Sequence, residues 1–200
     1  MPDFEVIVID NSGQGLVRRN CAAPPSWCSD ARVIENSSNL GFGAAVNQGI
    51  AASAAPFIAT LNDDAVPQPR WLEALTCALR ARPDAGMCAS QVRLYGEHRL
   101  DSAGMLVALD GSSKQRGQGR APEDFPVPEE VLFPSGSAAL YRRAMLDSIG
   151  AFDPDFFLYC EDTDLGLRAR WAGWKCLYEP GAVVEHHSSH SAGPASPHKA

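Results

Sequence analysis

The chain has 200 residues, 45% of them hydrophobic and 20% charged, with a formal net charge of −7. That length supports one domain with a substantial core, or two small ones, and the composition is ordinary for a globular fold. The acidic balance argues against a nucleic-acid partner, which leaves a basic footprint. It leaves open a phosphate-bearing ligand, because a metal can offset that charge locally.

No apolar run approaches the roughly 20 residues of a membrane helix. Met1 is followed by "PDFEVIVID", with an acid where a secretory leader carries bases. The six cysteines are scattered without a C-x-x-C pair, and four lie in apolar or amphipathic segments, as reduced buried thiols do. A cytoplasmic protein is expected, and the "NSS" sequon at 36–38 reads as chance.

In chain order, "EVIVID" (5–10) and "ARVIEN" (31–36) are short β-branched runs that predict strands. The Ala-rich "GFGAAVNQGIAASAA" (41–55) predicts a helix with glycines at its entrance. It begins like a dinucleotide fingerprint, but Val46 stands where the third glycine belongs. "PFIATLN" (56–62) predicts a third strand. Trp71, Leu72, Leu75 and Leu79 have helical spacing over 70–83, ended by Pro83. "GMCASQVRLY" (86–95) predicts a further strand, and "RAMLDSIG" (143–150) a helix. This rhythm indicates an α/β unit with a largely parallel sheet. Residues 110–130, rich in Gly, Pro and charge, predict a long loop.

Three constellations carry chemistry. Ligands of open parallel sheets bind beyond the carboxyl ends of the strands, and two such ends carry acids: Asp10, and the pair Asp63–Asp64. Adjacent carboxylates there either hold Mg²⁺ or Mn²⁺ or cap the turn before the Pro-rich segment. Glu161, Asp162 and Asp164 open a predicted helix. They complement its positive end, with Asp164 paired to Arg168, or one of them serves as a general base. His186, His187 and His190 follow an apolar run and are either surface residues or a source of one metal ligand.

Together, "VIVIDNS", "NLGFGAAVNQGI", "LNDDAVP", "PSGSAALYRRAMLDSIGAFDPDFFLYCEDTDLGLRARWAGW" and "VVEHHSSHSAG" resemble, in order, a family 2 glycosyltransferase of the GT-A fold. The nearest likeness is to rhamnosyltransferase-like members that build bacterial surface polysaccharide. The resemblance implies a nucleotide-diphospho-sugar transferase fold, with a mostly parallel Rossmann-like sheet flanked by helices. It implies one domain over 1–191 and a disordered tail over 192–200. The implied reaction is inverting transfer from a dTDP-, UDP- or GDP-linked sugar to a hydroxyl of a glycan or lipid-linked acceptor. Mg²⁺ or Mn²⁺ would be the cofactor. The resemblance is compatible with a homodimer and with peripheral attachment at the inner face of the cytoplasmic membrane.

Residue by residue, Asp64 with Asp63 beside it falls on the family's DxD-type metal motif. His186 matches the histidine after the last core strand, linked to metal or diphosphate. Asp10, Asn11, Gly41, Asn62, Asp63 and Gly136 fall in donor-binding segments. Asp162, with Glu161 beside it, falls on the catalytic base. Relatives carry a strand and helix ahead of the segment matching "EVIVID", where this sequence has Met1 almost at once. Unpaired backbone is therefore expected between the strands at 5–10 and 56–62, unless they close up or another chain fills the place. Two other readings remain. A nucleotidylyltransferase would need a Gly-rich basic phosphate loop near the N-terminus. A non-catalytic GT-A remnant would bind nucleotide weakly or serve in assembly.

Overall fold

The computed structural model describes residues 4–20 and 31–187. The expected tail at 192–200, with His190, lies outside them. The contact pattern divides the chain into two units, 1–54 with 152–161, and 55–151 with 162–200.

In the first unit, β1 (Ile7–Asp10) pairs in parallel with β2 (Arg32–Glu35), Ile7 opposite Arg32 and Asp10 opposite Glu35. A short helix α1 (Leu16–Asn20) follows β1. Helix α2 (Phe42–Ala52) lies against β1, with Gly49 beside Ile9. Its entrance needs glycine: Gly41 has φ +87°, and a Cβ there would lie 2.4 Å from the Phe157 carbonyl oxygen. Asn47 fastens the segment 152–161 by donating from Nδ2 to the Phe152 carbonyl (2.7 Å) and accepting the Phe152 N–H (3.0 Å).

The second unit is built on a seven-stranded sheet. Its main path runs β3 (Phe57–Leu61), β10 (Ala138–Arg142), β5 (Ala85–Leu94), β11 (Lys175–His186), β4 (Ala65–Pro67). β5 and β11 pair in parallel, and β10 is antiparallel to both β3 and β5. So β3, β5 and β11 share one direction, with β10 reversed between the first two. β3 ends the strand order and pairs with β10 alone among the described residues.

Helix α3 (Trp71–Ala81) packs Trp71, Leu75 and Leu79 onto Cys88, Val92, Leu140, Leu177 and Val184. Trp71 also donates its indole N–H to the Ser90 hydroxyl (2.8 Å). By the pleat, Met87, Ala89, Tyr141 and Tyr178 point to the other face. They are equally buried, so both faces of the sheet are covered.

The segment expected as a long loop over 110–130 carries more structure than its composition shows. A hairpin of β7 (Met105–Val107) and β8 (Ser113–Gln115) comes after β6 (Leu100–Ser102), which pairs with β5. A 3₁₀ turn (Pro122–Asp124) leads into β9 (Glu129–Val131), which pairs with β11. The guanidinium of Arg116 sits 4.6 Å above the Phe125 ring and ion-pairs with Glu129 at 2.6 Å. Cation–π and charge contacts thus order a segment with few aliphatic residues.

Helices α4 (Arg143–Ile149) and α5 (Glu161–Trp171) complete the unit. α5 approaches the segment just after β9 closely at Gly166, where an added Cβ would lie 2.3 Å from the Phe133 Cβ. Alanine gains about 1 kcal/mol of helix propensity over glycine, but overpacking a core costs about 1–3 kcal/mol. Phe133 is fully buried, and the contact is to its Cβ rather than to a movable end. Gly166→Ala is therefore expected to lower the melting temperature by several degrees in a thermal melt. A variant as stable as the parent would show that α5 does not rest on Phe133.

Candidate functional site

One rim of the second unit's sheet gathers the chemistry. β3, β5 and β11 end there at Leu61, Leu94 and His186, and reversed β10 begins there at Ala138. The segments just beyond are tied by backbone bonds. The Asn62 N–H donates to the Ser137 carbonyl (2.9 Å), Tyr95 N–H to His186 (3.0 Å) and His187 N–H to Asp64 (2.9 Å). The Ala65 N–H closes the turn 62–65 onto the Asn62 carbonyl (3.1 Å). β4 then pairs back onto β11, with Ala65 opposite His186, which brings Asp64 to the histidine.

At this rim Asp64 and His186 meet, Oδ1 to Nε2 at 3.0 Å. The other ring nitrogen, Nδ1, lies 2.8 Å from Oδ2 of Asp101. The imidazole is 11% exposed and the carboxylates 15% and 6%, so the three groups interact with little water between them. Burial alone lowers the pKa of His186, but the hydrogen bond to Asp101 and the charges of Asp64 and Asp101 outweigh it, and the net shift is upward. Asp63, on the same turn, is exposed. The like charges of the adjacent acids are separated in this way: one faces solvent and the other an imidazole. Beside them Tyr95 stacks on His187, ring centroids 3.7 Å apart.

Asp162 is the second residue of α5. Its Oδ2 accepts the Gly136 N–H (3.0 Å) and its Oδ1 the Thr163 hydroxyl (3.3 Å). Gly136 adjoins Ser137, whose carbonyl holds Asn62, so Asp162 joins the rim that carries Asp64. Burial raises the Asp162 pKa, and the Gly136 N–H only partly counters it. Asp164 is structural: it pairs with Arg168 at 2.6 Å, and Arg168 in turn donates to the Ile149 and Ala151 carbonyls.

The other expected residues belong to the first unit. Asp10 is buried, and its oxygens accept the Ser12 hydroxyl, the Ser12 N–H and the Val17 N–H. The Ser12 hydroxyl and the Val17 N–H hold its pKa below the usual carboxylate value. Its carboxylate thus shapes the loop 10–17. Asn11 donates to Asn39 and to the Gly41 carbonyl, and accepts from Asn36 and the Leu40 N–H. Glu161 is buried beside Gly43 and follows Tyr159 and Cys160, two consecutive non-glycine residues at φ near +68°. Such backbone costs about 1–3 kcal/mol per residue and clusters at functional sites.

Sequence reasoning missed Asp101 and Tyr95. Neither stands in a motif, and each reaches the rim only through strand pairing. Among the described residues, no group of three or more His, Cys, Asp or Glu is arranged to hold a metal. Of the three expected ligands, Asp64 and His186 come together and Asp63 stays on the exposed turn. A single carboxylate and a single imidazole suit an ion that shares its shell with water and substrate phosphate. The nitrogen donor suits Mn²⁺ better than oxygen-seeking Mg²⁺.

A family model described as "Glycosyl transferase family 2" matches residues 1–150. An N-acetylglucosaminyl-diphospho-decaprenol L-rhamnosyltransferase of Mycobacterium tuberculosis is 32% identical over 192 residues, covering 84% of this chain and 62% of its own. A pre-mycofactocin glycosyltransferase of the same species is 32% identical over 158 residues, 78% of this chain and 32% of its own. The chain thus spans about three fifths or less of these relatives. Among solved structures, GalNAc-T7 with UDP, GalNAc and Mn²⁺ superimposes with TM-score 0.72 at 14% identity, covering 91% of this chain and 37% of that one. A mannosyltransferase of Pyrobaculum calidifontis with GDP-Man and Mn²⁺ gives 0.62 at 17% identity, 98% of this chain and 50% of that one. At those identities the likeness establishes the GT-A fold.

The partly buried carboxylate of Asp162 yields a stability prediction. With its folded pKa above the unfolded one, it favours folding only while protonated, and that contribution disappears as pH rises through the folded value. Asp162→Asn can keep an oxygen for the Gly136 N–H and carries no charge. At pH 7 it is expected to raise the melting temperature in a thermal melt. The gain should vanish toward pH 3. A variant less stable than the parent at pH 7 would show that burial does not burden this carboxylate.

Proposed function

Because the chain belongs to glycosyl transferase family 2, we propose that it moves a sugar from a nucleoside-diphosphate donor to an acceptor hydroxyl, with inversion at the anomeric carbon. The observation that carries this is the single rim, with Asp64 and His186 at one place and Asp162 at another, linked through Gly136, Ser137 and Asn62. Transfer of this kind needs a cationic grip on a departing diphosphate and a base for the attacking hydroxyl.

Asp64 and His186 would hold Mn²⁺ or Mg²⁺, which supplies positive charge for the leaving diphosphate. Asp162 takes the proton of the acceptor oxygen at its carboxylate. The Gly136 N–H fixes that carboxylate, and burial keeps its basicity above that of an ordinary aspartate. We assign Asn62, Asp63 and the Gly136 loop to the donor sugar and diphosphate. Asp10, Asn11 and Gly41, with the asparagine network around them, are assigned to the nucleotide. Glu161 is assigned to supporting the start of α5.

The rhamnosyltransferase relative makes a lipid-linked amino sugar a reasonable acceptor class and rhamnose a reasonable sugar, as in building bacterial surface polysaccharide. Among the described residues, no helix is long and apolar enough to cross a membrane. A lipid-linked acceptor would be met by peripheral association with the membrane.

Titration calorimetry with UDP, dTDP and GDP, with and without Mn²⁺, tests the reading. Binding of at least one nucleotide that strengthens with Mn²⁺ is expected. No binding to any of them would favour a non-catalytic member of the family. In the same protein, Asp162→Asn should lower the transfer rate by about a hundred- to ten-thousand-fold, the usual worth of a positioned base, and leave nucleotide affinity unchanged. In the parent, the rate should fall on acidification at a pH above the ordinary aspartate value of about 3.9, since only ionised Asp162 accepts the proton. Full turnover in Asp162→Asn would remove it from that role.

A further inference from the structure

Asp101 lies in no motif, yet it is among the most buried charged residues of the second unit, 4% exposed. Burying a carboxylate costs several kcal/mol unless partners hold it. Both its oxygens have partners: Oδ1 accepts from Gln115 Nε2 at 3.2 Å, and Oδ2 lies 2.8 Å from His186 Nδ1. The backbone beneath it is irregular. Val92 of β5 pairs with Ser102 of β6, but the next residue, Arg93, pairs with Leu100. Asp101 is thus the extra residue of a β-bulge, a device that re-aims a side chain and recurs beside active sites.

The proton in the Asp101–His186 contact can be placed. An ionised carboxylate only accepts hydrogen bonds, and Gln115 already donates to this one. In that contact the hydrogen sits on His186 Nδ1 and is accepted by Asp101. Nε2, the other nitrogen, faces Asp64 at 3.0 Å: in the charged ring it donates to that carboxylate, and in the neutral ring protonated at Nδ1 it is left to a metal ion. A histidine that binds metal through one nitrogen is commonly oriented by a carboxylate on the other.

We infer that Asp101 is a positioning residue: it fixes the His186 ring with Nδ1 protonated and Nε2 aimed at the place shared with Asp64. The chain of contacts runs Gln115, Asp101, His186, Asp64, and it couples the β7–β8 hairpin to the rim. The inference rests on the metal reading proposed above and adds the residue that orients its nitrogen ligand.

The test measures Mn²⁺ alone, by the paramagnetic resonance signal of the free ion, in the full chain and in Asp64→Asn, Asp101→Asn and Gln115→Ala. The parent is expected to bind and Asp64→Asn to lose binding. Asp101→Asn should weaken binding about 10-fold or more, the usual effect of removing such a partner. Gln115→Ala, which loosens Asp101 without removing it, should weaken it less, and it decides the matter if Asp101→Asn does not fold. Nitrogen-15 spectra of the neutral His186 ring should show a larger share of the Nδ1-protonated tautomer in the parent than in Asp101→Asn, a change that lost packing alone would not cause. Equal Mn²⁺ affinity in the parent and a folded Asp101→Asn would overturn the inference while the metal reading stands. Failure of the parent to bind Mn²⁺ would overturn both.

Discussion

The reversal of β10 between β3 and β5 is the constraint on which the site depends. Two strands running the same way leave their carboxyl ends at one rim, and an antiparallel strand between them must present its amino end there. That is how the Gly136 loop comes to lie beside Asn62 and to hold Asp162 from α5. Continuing the sheet through β11 and back along β4 delivers His186 and Asp64 to the same edge. Four segments far apart in sequence, carrying Asn62 with Asp64, Gly136, Asp162 and His186, thus converge because of strand direction and order, without one long structured loop.

Charge explains why this edge is built so tightly. Asp64, Asp101, His186 and Asp162 all lie where water is scarce, and each would be costly alone. Two carboxylates flank one imidazole, a backbone N–H meets the third acid, and Asp63 is left in solvent. The adjacent acids of the sequence are therefore not a matched pair. The same sparing compensation leaves Asp162 a stronger base than an ordinary aspartate, at some expense to stability at neutral pH.

Much of this was legible in the residues, for identifiable reasons. The runs ending at Asp10 and Leu61, and the spacing of Trp71, Leu75 and Leu79, carry strong local patterns, and the elements lie within a few residues of expectation. The run before His186 likewise marked a strand end. Asp162 was different: spacing alone left it between helix cap and base, and the family block singled it out. The direction of β10 was not legible, because a short apolar run such as "AALYR" fits either direction. The strands of 100–131 are about three residues each, too short for a period to show, and they sit in Gly- and Pro-rich sequence. Asp101 was hidden for a further reason, since a bulge exists only as a register between two strands.

The central claim, that one rim of the sheet gathers the acids around a shared ion, is tested most directly by the relaxation that bound Mn²⁺ imposes on backbone amides in nitrogen-15 spectra. The account predicts strong broadening at Asp64, Tyr95, Gly136 and His187. Amides at the opposite ends of the same strands, Phe57, Ala85, Arg142 and Lys175, should remain sharp. Broadening centred on that far edge, or spread evenly over the sheet, would contradict it.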